Sequence, residues 1–171
     1  MKRRRKEQVY RPDRFEYLQA LLTEYCDSEV AHAKQEIVAN LANFAYNPVN
    51  HEHLQKLNVV DLFLDLTDDE DLILRRMGVM GLVNLAVNAQ HRDHISEKLD
   101  LILPLLQSRD NETLISTLTL LYYLHNEGVT DNDLRKTLQQ LHSESECKRT
   151  SNLLILLLRN STTYSSKTSV S

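Results

Sequence analysis

The sequence has 171 residues, 42% hydrophobic and 26% charged, which suffices for one compact domain with a sizeable core but is short for two. Three glycines, three prolines and no Trp leave too few turn residues for a sheet and rule out a glycine-built phosphate loop, so the expected class is all-α. The net charge of −4 is uneven: residues 1–14 carry +5 and the remainder −9.

In chain order, a basic arm comes first, residues 1–12, expected to be disordered. Its run Lys2, Arg3, Arg4, Arg5 and Lys6 suits a nuclear-entry signal or a phosphate-contacting arm, against the plain alternative of a solubilising tail. The arm lacks the apolar stretch of a secretory leader. Leu153 to Leu158, the longest apolar run, falls far short of the ~20 residues that span a bilayer. Cys26 and Cys147 lie far apart and imply no disulfide framework, so an intracellular, reducing compartment is expected, with both thiols as core filler.

A helix is predicted from Asp13 to Tyr25 and a longer one from about Val30 to Tyr46. In the second, Ala33, Ile37, Leu41, Phe44 and Ala45 share one face. Two three-helix units follow, at about 49–89 and 90–127. The first repeats the apolar stripe as Leu74, Gly78, Leu82, Leu85 and Ala86. A glycine inside a helix costs ~1 kcal/mol against Ala, so Gly78 predicts the close approach of a neighbouring helix. Polar starts (Thr67, Asp68, Asp69 and Glu70; then Ser108 and Asp110) suit caps and a favourable helix dipole. A degenerate last unit covers about 130–160, which closes a folded domain of 13–160. The Ser/Thr-rich tail, 161–171, has no core pattern and is expected to be disordered.

Internal repetition links these elements. The segment LANFAYN (41–47) recurs as LVNLAVN (82–88), 41 residues on, and again as LYYLHNE (121–127), 39 residues further. VVDLFLDL (59–66) is echoed by LDLILPLL (99–106) at a spacing of 40, and His51 and His91 are also 40 apart. A period near 40 built from several helices is the signature of armadillo or HEAT repeats.

The segments ANLANFAYNPVNHEHLQ, LNVVDLFLDL and MGLVNLAVNAQHRDHI resemble armadillo repeats. Together with RFEYLQALLTEY they are similar to a small armadillo-repeat family associated with the minor spliceosome. The likeness covers about Arg14 to Gly128 and weakens over 129–160. It implies a short right-handed superhelix of about three and a half to four repeats, without catalytic activity or cofactor. It also implies a nuclear role in pre-mRNA splicing, pairing with an RNA-recognition-motif protein in the minor, U12-type spliceosome. Small nuclear RNA would then be reached at most through that complex, and no membrane or small-molecule substrate is expected. The alternative is a cytosolic armadillo adaptor that holds an unrelated extended peptide.

The repeat register places Asn43, Asn84 and Tyr123 on equivalent faces of three successive long helices, as a ladder on the concave surface. Asn40, Met80, Asn47 and Asn88 complete the candidate partner-binding set. Such amides can hydrogen-bond the backbone of an extended partner; otherwise they tie adjacent repeats together or cap loops. Peptide-binding armadillo proteins such as nuclear-import receptors carry Trp four residues before the groove Asn. Here Ala39, Met80 and Thr119 hold that place, so no lysine stem can be sandwiched by cation–π contact. Asp61, Asp65, Asp68 and Asp69 form a candidate acidic edge for a basic partner, or else a solvated face. His51, His53, His91 and His94 are expected at the exposed starts of short helices. No Cys or carboxylate pair completes a tetrahedral set around them, so no metal is expected. There is no nucleophile elbow either, so an enzyme is not expected.

Overall fold

The computed structural model describes residues 13–125 and 129–160, and every regular element among them is helical. Along the chain these are α1 (Arg14–Asp27), α2 (Ala31–Ala45), α3 (His51–Lys56), α4 (Val59–Asp65), α5 (Leu72–Leu85), α6 (Ala89–Ser96), α7 (Leu99–Ile102), α8 (Asn111–Leu124), α9 (Asn132–Glu144) and α10 (Lys148–Asn160). Single stretches of 3-10 helix at Pro48–Asn50, Leu66–Asp68 and Leu103–Gln107 continue or introduce them. The arm with Lys2, Arg3, Arg4, Arg5 and Lys6, and the tail, lie outside the described residues. None of the described helices is long and apolar enough to cross a membrane.

Aspartates set most of the long helices. Asp13, Asp71, Asp110 and Asp131 each stand just before a helix and accept hydrogen bonds from its otherwise unpaired first N–H groups. At α1 this becomes a full capping box with Glu16. The long helix α2 stops at Ala45, one residue before the predicted Tyr46, and α5 stops at Leu85, so both end short of Asn47 and Asn88. Those asparagines begin the next element instead: Asn47 accepts from the Val49 N–H, and Asn88 from the Gln90 N–H. Between α3 and α4 the chain turns through Asn58 at φ 53°, a left-handed conformation that Asn tolerates better than most residues.

The elements group as α1–α2, α3–α5, α6–α8 and α9–α10, so two three-helix units are flanked by a two-helix unit at each end. The third helices stack in order, α2 on α5, α5 on α8 and α8 on α10, while α4 backs α5 and α9 backs α10. One continuous core runs through the stack, from Leu18, Val38 and Leu41 through Phe63, Leu82 and Leu85 to Leu118, Leu121, Leu154 and Leu157. Each such side chain, fully buried, stabilises the fold by about 1.5–3 kcal/mol. Nearest-neighbour stacking of this kind is the construction of a helical solenoid.

The close approach predicted at Gly78 is present. A Cβ there would lie 2.8 Å from the Leu66 Cβ and 3.0 Å from the Phe63 carbonyl oxygen. Gly81, one turn on, is tighter still, because the fully buried Phe63 ring lies where its Cβ would go. These two glycines let α4 seat against α5.

Candidate partner-binding site

The three asparagine-register positions fall on the face made by the third helices, but they do different things. Asn43 on α2 is exposed, as is Asn40. Asn84 on α5 is half-buried, and its Nδ2 donates to the Ala42 carbonyl at 2.9 Å, which ties one repeat to the one before it. That bond also shows that the Asn84 level of α5 lies beside the Asn43 level of α2. Tyr123 on α8 is half-buried against the core, with its ring edge-on to the exposed Tyr122 ring at 6.2 Å. The Trp-equivalent places, Ala39, Met80 and Thr119, are all half-buried and uncharged. The resulting row is amide, thioether, hydroxyl and phenol, with a nearly neutral character. Asn47 and Asn88 are exposed, but their side-chain oxygens are committed to capping.

The acidic residues do not form one strip. Asp61 is paired with His94 of the next unit at 2.7 Å. Asp69 and Asp65 act on Tyr25 instead, whose pKa is raised by burial first and then by Asp69, Cys26 and Asp65. Asp69 is also a turn residue: its side chain accepts from the Asp71 N–H at 2.8 Å, and its carbonyl accepts from Arg75 at 2.8 Å. Asp68 opens onto a cleft of about 800 Å3 between the two central units, shared with Leu72, Arg75, Asp100, Leu101 and Arg109, whereas Asp61 lines a separate, smaller cleft with His91 and His94.

The histidines correct an expectation. His51 and His91 are not at exposed helix starts; they are 4% and 3% exposed and meet edge-on at 5.4 Å. The preceding helix ends bring them inward: His51 Nε2 donates to the Ala45 carbonyl at 2.8 Å, which leaves Nδ1 buried without a partner. Burial, then the neighbouring His51, lowers the pKa of His91. Among the described residues no three His, Cys, Asp or Glu side chains gather in a metal-binding group.

A pair of inter-repeat clamps escaped the sequence reading. Gln35 on α2 donates to Asp71, the cap of α5, at 2.7 Å. Arg76 on α5 grips Asp110, the cap of α8, through Nε at 3.1 Å and Nη2 at 2.7 Å. Gln35 and Arg76 are 41 residues apart and the two aspartates 39, so both clamps occupy the same register of the repeat. The Arg76 bond is the main reason that the Asp110 carboxyl is lowered to about 2, helped by the Thr113 hydroxyl and N–H. Gln35 likewise leads the lowering at Asp71. The change from Gln to Arg hides the equivalence in the sequence; only the common spacing betrays it.

Solved structures with the same helix stacking settle the architecture. A computationally designed armadillo repeat protein for modular peptide recognition superimposes with a TM-score of 0.70 over 84% of this chain and 63% of that chain, at 17% identity. The fold is the armadillo repeat. Another designed armadillo repeat protein, in complex with the peptide (KR)4, matches this armadillo stack with a TM-score of 0.67 over 85% of it and 68% of that chain, at 17% identity. In sequence, the stack is similar to Armadillo repeat-containing protein 7 of Mus musculus, being 48% identical over 69 residues. That match spans 40% of this chain and 35% of the mouse protein. No protein-family model matches the chain.

Proposed function

We propose that the armadillo stack is a non-enzymatic scaffold whose third-helix face holds a protein partner, within a nuclear assembly for pre-mRNA splicing. The observation that carries the reading is the continuous row Asn43, Met80, Asn84, Thr119 and Tyr123 across three packed third helices. The exposed Asn43 amide, the Asn84 side-chain oxygen and the half-buried Tyr123 phenol, held on packed helices, offer hydrogen bonds to an extended backbone at little ordering cost. With no Trp in the row, its partner is not held by lysine stems, unlike a run of Lys and Arg. The resemblance of LANFAYN, LNVVDLFLDL and LVNLAVN to a small armadillo-repeat family of the minor, U12-type spliceosome points to an RNA-recognition-motif protein as that partner. Small nuclear RNA would be reached through it, with the basic arm nearby.

The test is purification of the intact protein from nuclear extract with bound proteins and small RNAs both identified. An RNA-recognition-motif protein recovered together with minor-spliceosome RNA is the expected result; recovery of neither removes the splicing reading and leaves a peptide-binding scaffold. The face itself is tested by Asn84→Ala with Tyr123→Ala, which should weaken the partner complex at least ~10-fold while the protein stays folded. Because Asn84 also ties α5 to α2, thermal melting must accompany the binding measurement. Unchanged affinity would move the contact to an edge or an end of the stack.

A further inference from the structure

The row on the third-helix face continues onto α10. Helices α8 and α10 begin 37 residues apart, at Asn111 and Lys148, and Arg149 meets Glu112 at 3.9 Å across the same interval. That register places Leu156 at the level of Thr119 and Leu153 at the level of Ser116. Residues three and four apart share a helix face, so Arg149, Leu153 and Leu156 form one stripe.

Helix by helix, the face alternates in character. On α5 it is apolar: Met77 and Met80 are half-buried, and Ile73, one turn before them, is 42% exposed. On α8 it is small: Ser116 and Thr119, with the Thr119 hydroxyl committed to the Ile115 carbonyl at 2.8 Å. On α10 it is apolar again, with Leu153 half-buried and Leu156 44% exposed. Single exposed apolar residues are ordinary, but here two stripes match in level across two joints. Charge is sorted too. The four third helices hold six basic residues (Lys34, Arg75, Arg76, Lys148, Arg149 and Arg159) against two acidic ones, Glu36 and Glu112, in a chain of net charge −4. The sequence of α10 contains no acid at all.

We propose that this face takes an extended, acidic segment of a partner protein through two apolar side chains, one seated on Met77 and Met80, the other on Leu153 and Leu156. The proposal rests on the third-helix face being the partner site, and it names the chemistry of what that face selects. Packed helices lie about 8–10 Å apart, so two joints separate the stripes by roughly 16–20 Å. An extended chain rising about 3.3 Å per residue covers that distance in roughly 5–6 residues. Between the anchors the segment crosses the small side chains of α8, where its backbone can come close to the helix. The flexible thioethers of α5 adapt to the shape of the first anchor, whereas the leucines of α10 are more selective. Acidic residues beside the second anchor answer Lys148 and Arg149.

The experiment selects a random-peptide phage library on the intact protein, then synthesises and titrates the recovered peptides. The expected consensus is two large apolar residues roughly 5–6 positions apart, with Asp or Glu near one of them. Leu156→Gln and Met80→Gln should each weaken such a peptide about 10-fold with the helical circular dichroism unchanged. Bringing the two anchors closer together within the peptide should weaken it as much, and that reading needs no variant of the protein. Enrichment of Lys- and Arg-rich peptides, enrichment without a common apolar spacing, or peptides indifferent to both variants each overturns the proposal. Self-association of the protein that Leu156→Gln abolishes would assign the α10 stripe to a second copy and overturn it as well. Peptides that respond to Asn84→Ala with Tyr123→Ala, but not to Leu156→Gln, would overturn the anchors while the face stays the partner site.

Discussion

At Asp110 a single carboxylate serves two neighbours at once. One oxygen caps α8 through the Thr113 N–H at 2.9 Å, and both oxygens receive Arg76 from the unit before. Asp110→Ala should therefore cost about 1–2 kcal/mol, most of it from the lost cap, because Arg76 is partly solvated. The pH dependence follows from the direction of the shift. The folded carboxyl titrates at about 2 and the unfolded one near 3.8, so its contribution is complete above the unfolded value and is lost as pH falls towards 2. Urea unfolding of wild type and Asp110→Asn should show a gap at pH 6 that closes on acidification; a gap that persists at pH 2 would contradict the clamp. The glycines give a second test, one of sign. On helix propensity alone Gly81→Ala gains about 1 kcal/mol, but the Phe63 ring leaves no room for the methyl. Overpacking costs about 1–3 kcal/mol, so net destabilisation by thermal melting is expected, and stabilisation would show that α4 can retreat. Gly78 was readable as a contact point because it interrupts an apolar stripe. Asn47 and Asn88 were readable either as partner-binding amides or as caps, and which of the two holds depends on which N–H follows each in space.

Among the helices, the short first helix of each unit behaves differently from its sequence pattern. His51 and His91 recur because the repeat does, and the fold turns both rings inward between α3 and α6. Periodicity in so short a helix is too weak to say which side of it faces the core. The inward placement makes this layer sensitive to acid. His91 has a lowered pKa in the folded chain, so the unfolded chain takes up its proton first as pH falls below the ordinary value of 6.5. Stability is thus complete above that value and declines beneath it, until the folded group titrates as well. The melting temperature should drop between pH 7.5 and 5.5, and His91→Gln should drop less; parallel curves for the two proteins would exclude this layer as the cause. The first two long helices, by contrast, were legible to within two residues, since fourteen or so positions average out local ambiguity.

For the whole molecule, the repeat period dictates the architecture, because only stacking can bury stripes that recur every 40 residues. The end units were less legible: the last one, α9–α10, lacks a first helix among the described residues, and its partner face on α8 is defined only by contact. Removing residues 129–160 would bare the side of α8 that α10 covers, including its neighbours Leu118 and Leu121 in the shared core. The shortened chain should lose a sharp thermal transition and bind an apolar dye, whereas a cooperative melt equal to that of the full chain would show that the last unit is dispensable. Solenoids tolerate the loss of an end only when a polar face remains outside.

The two clamps act like pins along one side of a folding ruler. Gln35–Asp71 and Arg76–Asp110 fasten the first two joints at the same edge, but at the third joint the register position holds the buried Ile115, and the nearest substitute is an exposed Arg149–Glu112 pair at 3.9 Å. Pulled from its two ends, the molecule would therefore peel from the C-terminal joint first, while the pinned joints resist shear as one block. Stiffness, unlike stability, should then be graded along the chain, with the more compliant end at α9–α10.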